Sequence, residues 1–280
     1  MDWPADFKAK QKRHWDQVAG GWAAWLEWTE RNFAPVTDWV QNAVAWRSGT
    51  RALDIGCGAG YPSLVAARRV APGGSVVATD LSSAMLTAAS SAARRAGLHN
   101  ISFLEMDAEE LTLANASFDA VTNTYGLMFC PNAARAIAEA HRVLVPGGRL
   151  VLVVWDLPAK SPYFSVITGA ATRQLGFQPP EAGAPGPFRF AAPDALESLM
   201  RSAGFSDVLV ESCPAAFECA SADQYVQMFD ELAWKNRMSG LSIADRVRLV
   251  KEVDEAVQPH WSEGRLRLVA TSLCASGVKL

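Results

Sequence analysis

Residues 51–60, Arg-Ala-Leu-Asp-Ile-Gly-Cys-Gly-Ala-Gly, decide how this chain folds. A short apolar run ends in three glycines at alternate positions, and the helix-like segment 62–70 follows directly. In open α/β sheets this order of strand, glycine loop and helix forms a nucleotide site. The glycines let the backbone approach the ligand, and the first turn of the helix offers free N–H groups. The stretch therefore predicts a ligand-binding turn at the carboxyl end of a strand.

Outward from this loop, short apolar runs alternate with helical stretches as far as residue 155. Five runs have the length and the Val, Leu and Ile content of strands: 51–56, 75–80, 101–106, 118–124 and 149–155. Three segments between them are helix-like: 62–70, 84–96 and 133–144. Alternation of this kind indicates right-handed βαβ units. We therefore predict an α/β fold, with a mostly parallel sheet that carries helices on both faces.

A helical cap is predicted before this core. Over residues 12–33, Trp15, Trp22 and Trp25 recur at helical spacing, and a second helix covers about 36–46. We divide the single globular unit into a cap, a ligand-binding core and a third part that completes the sheet and forms a lid: 1–48, 49–156 and 157–280.

The third part begins with a Pro- and Gly-rich stretch, 157–192, which predicts a long loop or partial lid. Periodicity then predicts three helices, at 193–203, 221–238 and 242–257. Two strands are expected to complete the sheet, at 205–213 and 265–276.

Composition narrows the classes of partner. Of 280 residues, half are hydrophobic, and 26 Lys and Arg face 29 Asp and Glu, giving a net charge of −3. That balance argues against a nucleic-acid binder, which needs clustered basic residues. The five scattered cysteines form no CxxC pair, so no metal site is expected. With no secretory signal and no apolar run long enough to span a membrane, we expect a cytoplasmic protein with a small-molecule substrate.

The spacing of the glycines distinguishes between nucleotides. Gly56, Gly58 and Gly60 give GxGxG, whereas a dinucleotide fingerprint needs a small residue where Tyr61 stands. Asp54, just before the loop, would repel a pyrophosphate but suits an amine or a sulfonium. Asp80 ends the second strand, where a carboxylate can accept hydrogen bonds from both hydroxyls of a ribose. These features favour a cationic nucleoside over NAD or FAD.

Five successive stretches resemble the motifs of the class I S-adenosylmethionine-dependent methyltransferases. They are ALDIGCGAGYPSL, VVATDLSSAMLTAA, EMDAEEL, FDAVTNTYGLMF and EAHRVLVPGGRLVLVVW. The chain is most similar to the ubiquinone/menaquinone-biosynthesis branch, the type 11-like methyltransferases. The resemblance implies a Rossmann-like class I methyltransferase fold with a seven-stranded, mostly parallel sheet, plus N-terminal and inserted helices that form a lid. It also implies S-adenosyl-L-methionine as cofactor, with S-adenosyl-L-homocysteine as product.

The resemblance also implies positions for the cofactor. Its methionine half would lie among Asp54, Gly56, Gly58 and Gly60, with Cys57 packing behind the loop. The remaining contacts that it implies are Asp80, Leu81 and Met85 around the ribose, Asp107, Ala108 and Glu109 at the adenine amine, and Asn123 and Thr124 near the methionine amine. In the family pattern W-x(3)-A-x(2)-Y an aromatic residue closes over the methionine end, and the match here makes Trp22 a candidate, with Trp25 a weaker one.

The catalytic base is the least determined part of the site. Tyr125 follows a central strand, but it needs a lowered pKa to accept a proton. His14 lies on the N-terminal helix near Trp22. We rank Tyr125 and His14 first as candidate bases, ahead of His141, His260 and Asp156. The alternative for His14 and His141 is that their side chains face solvent and take no part in the reaction, which is the commoner role of such histidines.

The motifs predict an enzyme that transfers a methyl group by SN2 displacement to a small, partly apolar molecule, at O, C, N or S. Two other functions stay open at this point. A non-catalytic S-adenosylmethionine-binding protein would carry the same cofactor motifs, and an NAD-dependent oxidoreductase is opposed by Tyr61 and Asp54. The oligomeric state, monomer or homodimer, is undetermined.

Overall fold

A single sheet organises the computed structural model, which describes residues 3–178, 184–192 and 194–280. Its strands are β1 (Arg51–Ile55), β2 (Ser75–Asp80), β3 (Ile101–Glu105), β4 (Phe118–Thr124), β5 (Leu144–Trp155), β6 (Phe205–Cys219), β7 (Trp261–Ser262) and β8 (Arg265–Lys279). They are arranged in the order β3-β2-β1-β4-β5-β8-β6, and the short β7 pairs with β8 off this path. The five core strands predicted from the sequence all form.

The sheet is mixed but mostly parallel, as predicted. Strands β1 to β5 pair in parallel, whereas β8 runs antiparallel to both β5 and β6. The carboxyl ends of β1, β2 and β4 therefore share one edge, which is where an open α/β sheet places its ligand crevice. This is the Rossmann-like arrangement of the class I methyltransferases, with β7 as a short addition to the seven-stranded path.

Helices cover both faces of the sheet. Three precede it: α1 (Trp3–Ala24), α2 (Leu26–Asn32) and α3 (Ala34–Val44). The others are α4 (Tyr61–Val70), α5 (Ser83–Arg95), α6 (Ala133–Val143), α7 (Pro162–Leu175), α8 (Ala195–Ser202), α9 (Ala222–Phe229), α10 (Lys235–Met238) and α11 (Ile243–Val257). The π-helical segment Asp230–Trp234 joins α9 to α10.

The N-terminal helix differs from the single helix predicted over 12–33. It begins at Trp3, and the chain turns at Trp25 before α2 continues. The indole of Trp25 donates to Glu231 at 2.6 Å, while that of Trp28 donates to the backbone oxygen of Glu218 at 2.7 Å. The turn lets two indoles only three residues apart reach partners on different elements, so tertiary contacts override the helical periodicity.

The largest difference between predicted and observed elements lies in the Pro- and Gly-rich stretch 157–192, where a loop was predicted. It contains the helix α7, which begins at Pro162 and ends at Leu175, directly before Gly176. Pro is well tolerated in the first turn of a helix, and Gly is common just after its end, so both residues mark boundaries here rather than a loop. Residues 179–183 and 193, on which parts of the predicted loop and of the helix over 193–203 fall, lie outside the described residues.

The C-terminal strands are longer than predicted. β6 continues to Cys219 and β8 to Lys279 because the two pair along their whole length, from Phe205 opposite Lys279 to Cys219 opposite Leu266. The helix predicted over 221–238 is divided by the π-helical segment. Such segments are often found at functional sites.

The π-helical segment packs closely against α1 at Gly21. A Cβ atom built there would clash with the backbone oxygen of Glu231, whereas one at the adjacent Gly20 meets nothing within 4 Å. Gly21→Ala should therefore lower the free energy of unfolding by about 1–3 kcal/mol through overpacking. Gly20→Ala, the matched control, should raise it by about 0.5–1 kcal/mol, the helical preference for Ala. Urea denaturation of both variants measures the difference, and equal effects would contradict this packing.

Candidate active site

A cavity of about 300 Å³ opens at the carboxyl edge of the sheet, between the strand ends, the three N-terminal helices and the π-helical segment. We call its two ends the polar half and the aromatic half. The polar half contains the glycine loop and the acidic residues Asp80, Asp107 and Glu109. The aromatic half is lined by Phe33, Tyr125, Trp155, Tyr163, Phe164 and Phe229.

The glycine loop is held in place by the neighbouring strand. The N–H groups of Gly56 and Cys57 both donate to the backbone oxygen of Thr79, at 2.7 and 2.9 Å. Gly60 has a φ of +101° and directly precedes α4. Because that conformation is rare for residues with a side chain, glycine at this position lets the loop turn into the helix. Gly56, Gly58 and Gly60 all line the cavity.

Asp80 lies beside the loop, as the sequence places it. Its carboxylate accepts hydrogen bonds from the N–H groups of Gly58 and Ser82, each at 2.9 Å. Burial raises the pKa of Asp80, and these N–H groups oppose the rise. Each carboxylate oxygen has a further lone pair, so Asp80 can still accept hydrogen bonds from a diol. Leu81 and Met85 line the cavity next to it.

Two further acidic side chains lie at the far end of the polar half. Asp107 and Glu109 both pair with Lys8 of α1, each at 2.6 Å. Burial opposes protonation of Lys8, but the bonds to the two carboxylates outweigh it and raise the pKa of Lys8. Glu109 is only 4% exposed and also accepts the N–H of Asn132. Asp107, Ala108 and Glu109 all line the cavity, and α1 closes over them through Lys8.

Asp54 is placed differently from the prediction that its carboxylate faces the ligand. It does not line the cavity. Its oxygens accept hydrogen bonds from Thr122 at 2.8 Å and from Ser63, and the side chain is 1% exposed. Neighbouring side chains of a strand point to opposite faces of the sheet. The side chain of Asp54 points into the protein interior and not into the cavity. Its carboxylate therefore ties β1 to β4 and α4 beneath the loop.

Comparison with known proteins identifies this arrangement. A family described as a methyltransferase domain matches residues 53–152. A demethylmenaquinone methyltransferase of Thermus thermophilus is 37% identical over 165 residues, covering 56% of this chain and 74% of the relative. The chain belongs to the class I S-adenosylmethionine-dependent methyltransferases. Within them it belongs to the ubiquinone/menaquinone-biosynthesis type.

Other relatives of this methyltransferase differ in their names and in how much of the chain they match. The nocamycin O-methyltransferase of Saccharothrix syringae is 31% identical over 185 residues, and the match spans 63% of this chain and 66% of that protein. The solved structure of the YcgJ protein from Bacillus subtilis shares the fold, with a TM-score of 0.57 at 18% identity over 87% of this chain and 97% of that one.

Burial gives Asp54 of this methyltransferase an unusual titration. It raises the pKa from 3.8 to about 6, although the hydroxyls of Ser63 and Thr122 lower it. The folded state thus binds the Asp54 proton more tightly than the unfolded state does. The stabilisation from that proton is complete below about pH 4 and is lost as the pH rises through about 6.

Asp54→Asn removes this titration while keeping the shape of the side chain. Relative to wild type, the variant should gain about 2–3 kcal/mol of unfolding free energy between about pH 4 and about pH 7.5. One of the two hydroxyls, that of Ser63 or that of Thr122, can rotate to accept from the new NH2 group, while the other still donates to the amide oxygen. Urea denaturation of both proteins at the two pH values measures the change. A wild-type-to-variant difference that is constant with pH would contradict it.

Asn123, Thr124 and Tyr125 follow one another at the end of β4, and all three line the cavity. The side chain of Asn123 accepts the N–H groups of Gly126 and Leu127, which shapes the turn there. Tyr125 has a φ of +62°. For a non-glycine residue this backbone is strained, and such strain is concentrated at functional sites.

The general-base role predicted for Tyr125 is not supported by its surroundings. Its hydroxyl hydrogen-bonds Ser272 at 2.7 Å, and its ring stacks on Trp155 with centroids 4.3 Å apart. Burial raises the pKa of Tyr125 well above its usual value, whereas a base needs a lowered one. Tyr125 is therefore a neutral side chain that lines the aromatic half.

The histidine candidates lie away from the cavity. His14 does not line it; the ring packs on Trp15 and approaches Asn236 at 3.4 Å. Burial lowers the pKa of His14. The ring of His141 packs edge-on against Phe205, so it is half-buried rather than fully solvated. His260 and Asp156 also lie outside the cavity lining.

The N-terminal helix contributes more to the cavity than the sequence indicated. Trp15 and Trp22 line it, and Trp22 donates to the backbone oxygen of Leu232 at 2.9 Å. Asp16 of the same helix accepts from Ser82 at 2.6 Å. Lys8 could not be singled out from the sequence, because its acidic partners lie about a hundred residues away.

Helix α3 supplies cavity residues that the motifs do not reach: Val36, Thr37, Val40 and Gln41. Val36 with Val40, and Thr37 with Gln41, are spaced i and i+4, and this spacing is the sequence signal that could have indicated a shared helix face.

Cys57 packs with Ala78 and Leu86 behind the loop, and burial raises its thiol pKa well above the usual value.

Within the described ranges 3–178, 184–192 and 194–280, no helix combines the length and the apolar character needed to cross a bilayer. Nor do three or more His, Cys, Asp and Glu side chains come together there as a metal site.

Proposed function

We propose that this methyltransferase holds S-adenosylmethionine in the polar half of the cavity and a small, partly apolar acceptor molecule in the aromatic half. The observation that carries the proposal is the continuity of the cavity. One space of about 300 Å³ joins the glycine loop and Asp80 to a cluster of aromatic side chains. A methyl donor and an acceptor can therefore meet within it.

The residues of the polar half fit the chemistry of the cofactor. A Cβ atom at Gly58 would meet nothing within 4 Å, so this loop leaves space beside the backbone. Asp80 offers carboxylate oxygens for two ribose hydroxyls, while Asp107 and Glu109 offer acceptors for the amino group of adenine. Lys8, which already joins Asp107 to Glu109, would close this end.

Other residues of this half would hold the methionine end: Gly56, Gly58 and Gly60, with Cys57 and Asp54 supporting the loop from behind, and Asn123 and Thr124 at the end of β4. Trp22 lies over this end, with its indole fixed on Leu232. The donor set combines carboxylates and open backbone, which suits a cationic nucleoside better than a dinucleotide carrying a pyrophosphate.

When bound, the cofactor supplies a methyl group that its sulfonium already activates for displacement. The chain must then orient the acceptor and exclude water. The aromatic half does both: Phe33, Tyr125 and Trp155 pack on one another, with centroids 4.3–6.0 Å apart. Alignment of two bound reactants can contribute ~7–11 kcal/mol, so a strong general base is not a requirement for turnover.

The names of the relatives agree with an apolar acceptor. One acts on demethylmenaquinone and another is a nocamycin O-methyltransferase. These are different molecules, so we propose the acceptor's class, a small and partly apolar compound, and leave the methylated atom open among O, C, N and S. The net charge of −3 supports a small molecule over a nucleic acid.

A turnover assay tests the proposal. Purified protein with methyl-labelled S-adenosylmethionine is offered apolar phenols, naphthols and enols, with polar amines and amino acids as the comparison set. We expect label transfer to members of the apolar set. Tight binding of S-adenosylhomocysteine with no transfer to any compound would favour a non-catalytic binding protein. Tight NADH binding with weak S-adenosylhomocysteine binding would favour an oxidoreductase.

A further inference from the structure

One buried amide in the cavity lacks a partner. Gln41 of α3 is 6% exposed and lines the cavity. Its Oε1 atom is buried and accepts no hydrogen bond from the described residues. Burial of a polar atom without a hydrogen bond destabilises the folded chain. An unsatisfied acceptor in a binding cavity has a physical explanation when the ligand brings the missing donor.

The neighbours of Gln41 place this acceptor beside the glycine loop, in the polar half. Thr37 lies one turn before it on α3, and both residues line the cavity together with Tyr61. Tyr61 is the first residue of α4 and directly follows Gly60. Burial raises the pKa of Tyr61, and the hydroxyl of Thr37 opposes that rise, so the two hydroxyls are close neighbours. The unsatisfied amide therefore lies at the end of the cavity that we assign to the methionine part of the cofactor.

The charges around the cavity favour a cationic donor at this end. Among the described residues that line the cavity, Lys8 is the one Lys or Arg, and it lies at the opposite end of the polar half, on Asp107 and Glu109. The carboxylate of Asp80 lines the cavity beside the loop and accepts the N–H of Gly58. A positively charged group near the loop is therefore attracted by an acid and meets no competing cation.

A negative group can be held next to it. Helix α4 has ten residues and begins at Tyr61, and both Tyr61 and Pro62 line the cavity. The positive end of the helix dipole therefore lies at the cavity wall. The hydroxyl of Thr37 is a further donor there. An acceptor amide, a hydroxyl and a helix N-terminus side by side complement a zwitterion, in which an ammonium group lies next to a carboxylate.

We propose that Oε1 of Gln41 accepts a hydrogen bond from the α-ammonium group of the cofactor, so that this end of the cavity selects ligands with an amino-acid end. This inference rests on the proposed function and adds a binding residue on α3 to it. An ammonium group has three N–H donors, so it can bond Gln41 and still bond the backbone at the end of β4. The charge on the donor makes the bond stronger than one between neutral groups.

Three ligands that share the adenosine part test the proposal. S-adenosylhomocysteine carries the whole amino acid, S-adenosyl-3-thiopropylamine keeps only the amine, and methylthioadenosine lacks both charged groups. Calorimetric titration gives the three dissociation constants. Gln41→Met, which keeps the length of the side chain without the amide, should weaken binding of the first two ligands by the same factor, about 10- to 150-fold. Its affinity for methylthioadenosine should equal that of the wild type.

Two glutamines of α1 supply the controls. Gln11 lines the cavity and also has a buried Oε1 atom without a partner among the described residues, but it lies one turn from Lys8. That end faces the adenosine part, which all three ligands share, so Gln11→Met should change the three dissociation constants by one common factor. Gln17 is exposed and outside the cavity lining. Gln17→Met should leave all three constants unchanged.

The ligand series separates the possible failures. A Gln41→Met protein that keeps the wild-type preference for S-adenosylhomocysteine over methylthioadenosine would overturn the proposal. A loss equal for all three ligands would overturn it too, because the amide would then act on the adenosine part or on the fold. A loss confined to S-adenosylhomocysteine would assign Gln41 to the carboxylate and exclude the ammonium. Wild-type protein that binds none of the three would contradict the proposed function itself.

The stability of the ligand-free protein is a second readout. Gln41→Met should melt at the wild-type temperature or higher, because it removes an unsatisfied amide. A lower melting temperature would show that the amide has a partner within the fold and would overturn the inference.

Discussion

Replacing Gly60 by alanine should lower the free energy of unfolding by about 2–5 kcal/mol and abolish binding of S-adenosylhomocysteine. Two effects add at this position. The backbone has a φ of +101°, which strains any residue with a side chain, and the new Cβ would lie 2.8 Å from the Cβ of Ala89. To relieve the contact, α5 or the glycine loop must move, and either movement distorts the polar half of the cavity.

Gly97→Ala is the control for backbone strain. Gly97 also has a positive φ, +67°, but a Cβ there meets nothing within 4 Å. It lies outside the cavity lining, after the end of α5. This variant should lose about 1 kcal/mol and keep its affinity for S-adenosylhomocysteine. Urea denaturation and calorimetry measure both quantities. Equal destabilisation by the two substitutions would show that the contact with Ala89 is unimportant.

Replacing Asp80 by alanine should weaken S-adenosylhomocysteine binding by roughly 1–3 kcal/mol, or about 5- to 150-fold. The carboxylate is the acceptor that we assign to the ribose hydroxyls. It also orders the loop through the N–H groups of Gly58 and Ser82. Calorimetric titration gives the dissociation constant, and a melting curve checks that the variant is folded.

Two other variants show whether the effect is specific. Asp80→Asn keeps one acceptor oxygen and should give an intermediate dissociation constant. Asp119→Ala removes a carboxylate of β4 that pairs with Arg51 of β1 and lies outside the cavity lining. It should leave S-adenosylhomocysteine binding unchanged. An unaltered dissociation constant in folded Asp80→Ala protein would exclude Asp80 as the ribose acceptor.

Local signals made the core of the fold predictable. Strand, glycine loop and helix follow one another within twenty residues, and each is specified by its own sequence: a short apolar run, glycines where the backbone must turn, and helical periodicity. Asp80 could be placed for the same reason, because parallel neighbouring strands end at the same edge of the sheet. The sequence could not tell which face Asp54 occupies, since a strand buried on both sides lacks the usual alternation.

Long-range contacts account for most of what was missed. Lys8 reaches Asp107 across 99 positions of sequence, and no local pattern encodes that pairing. The turn at Trp25 is likewise set by partners on distant elements. Helix α7 was missed for a different reason: Pro162 and Gly176 are boundary residues of a helix, but in a Pro- and Gly-rich stretch they are hard to distinguish from a loop.

The central claim is that one cavity holds the methyl donor at the glycine loop and the acceptor among the aromatic side chains. A crystal structure of the protein soaked with S-adenosylhomocysteine tests it most directly. We predict that the ribose hydroxyls lie within hydrogen-bonding distance of Asp80, and that the sulfur faces the aromatic half near Tyr125 and Trp155. A ligand bound outside this cavity, or a ribose without contact to Asp80, would contradict the account.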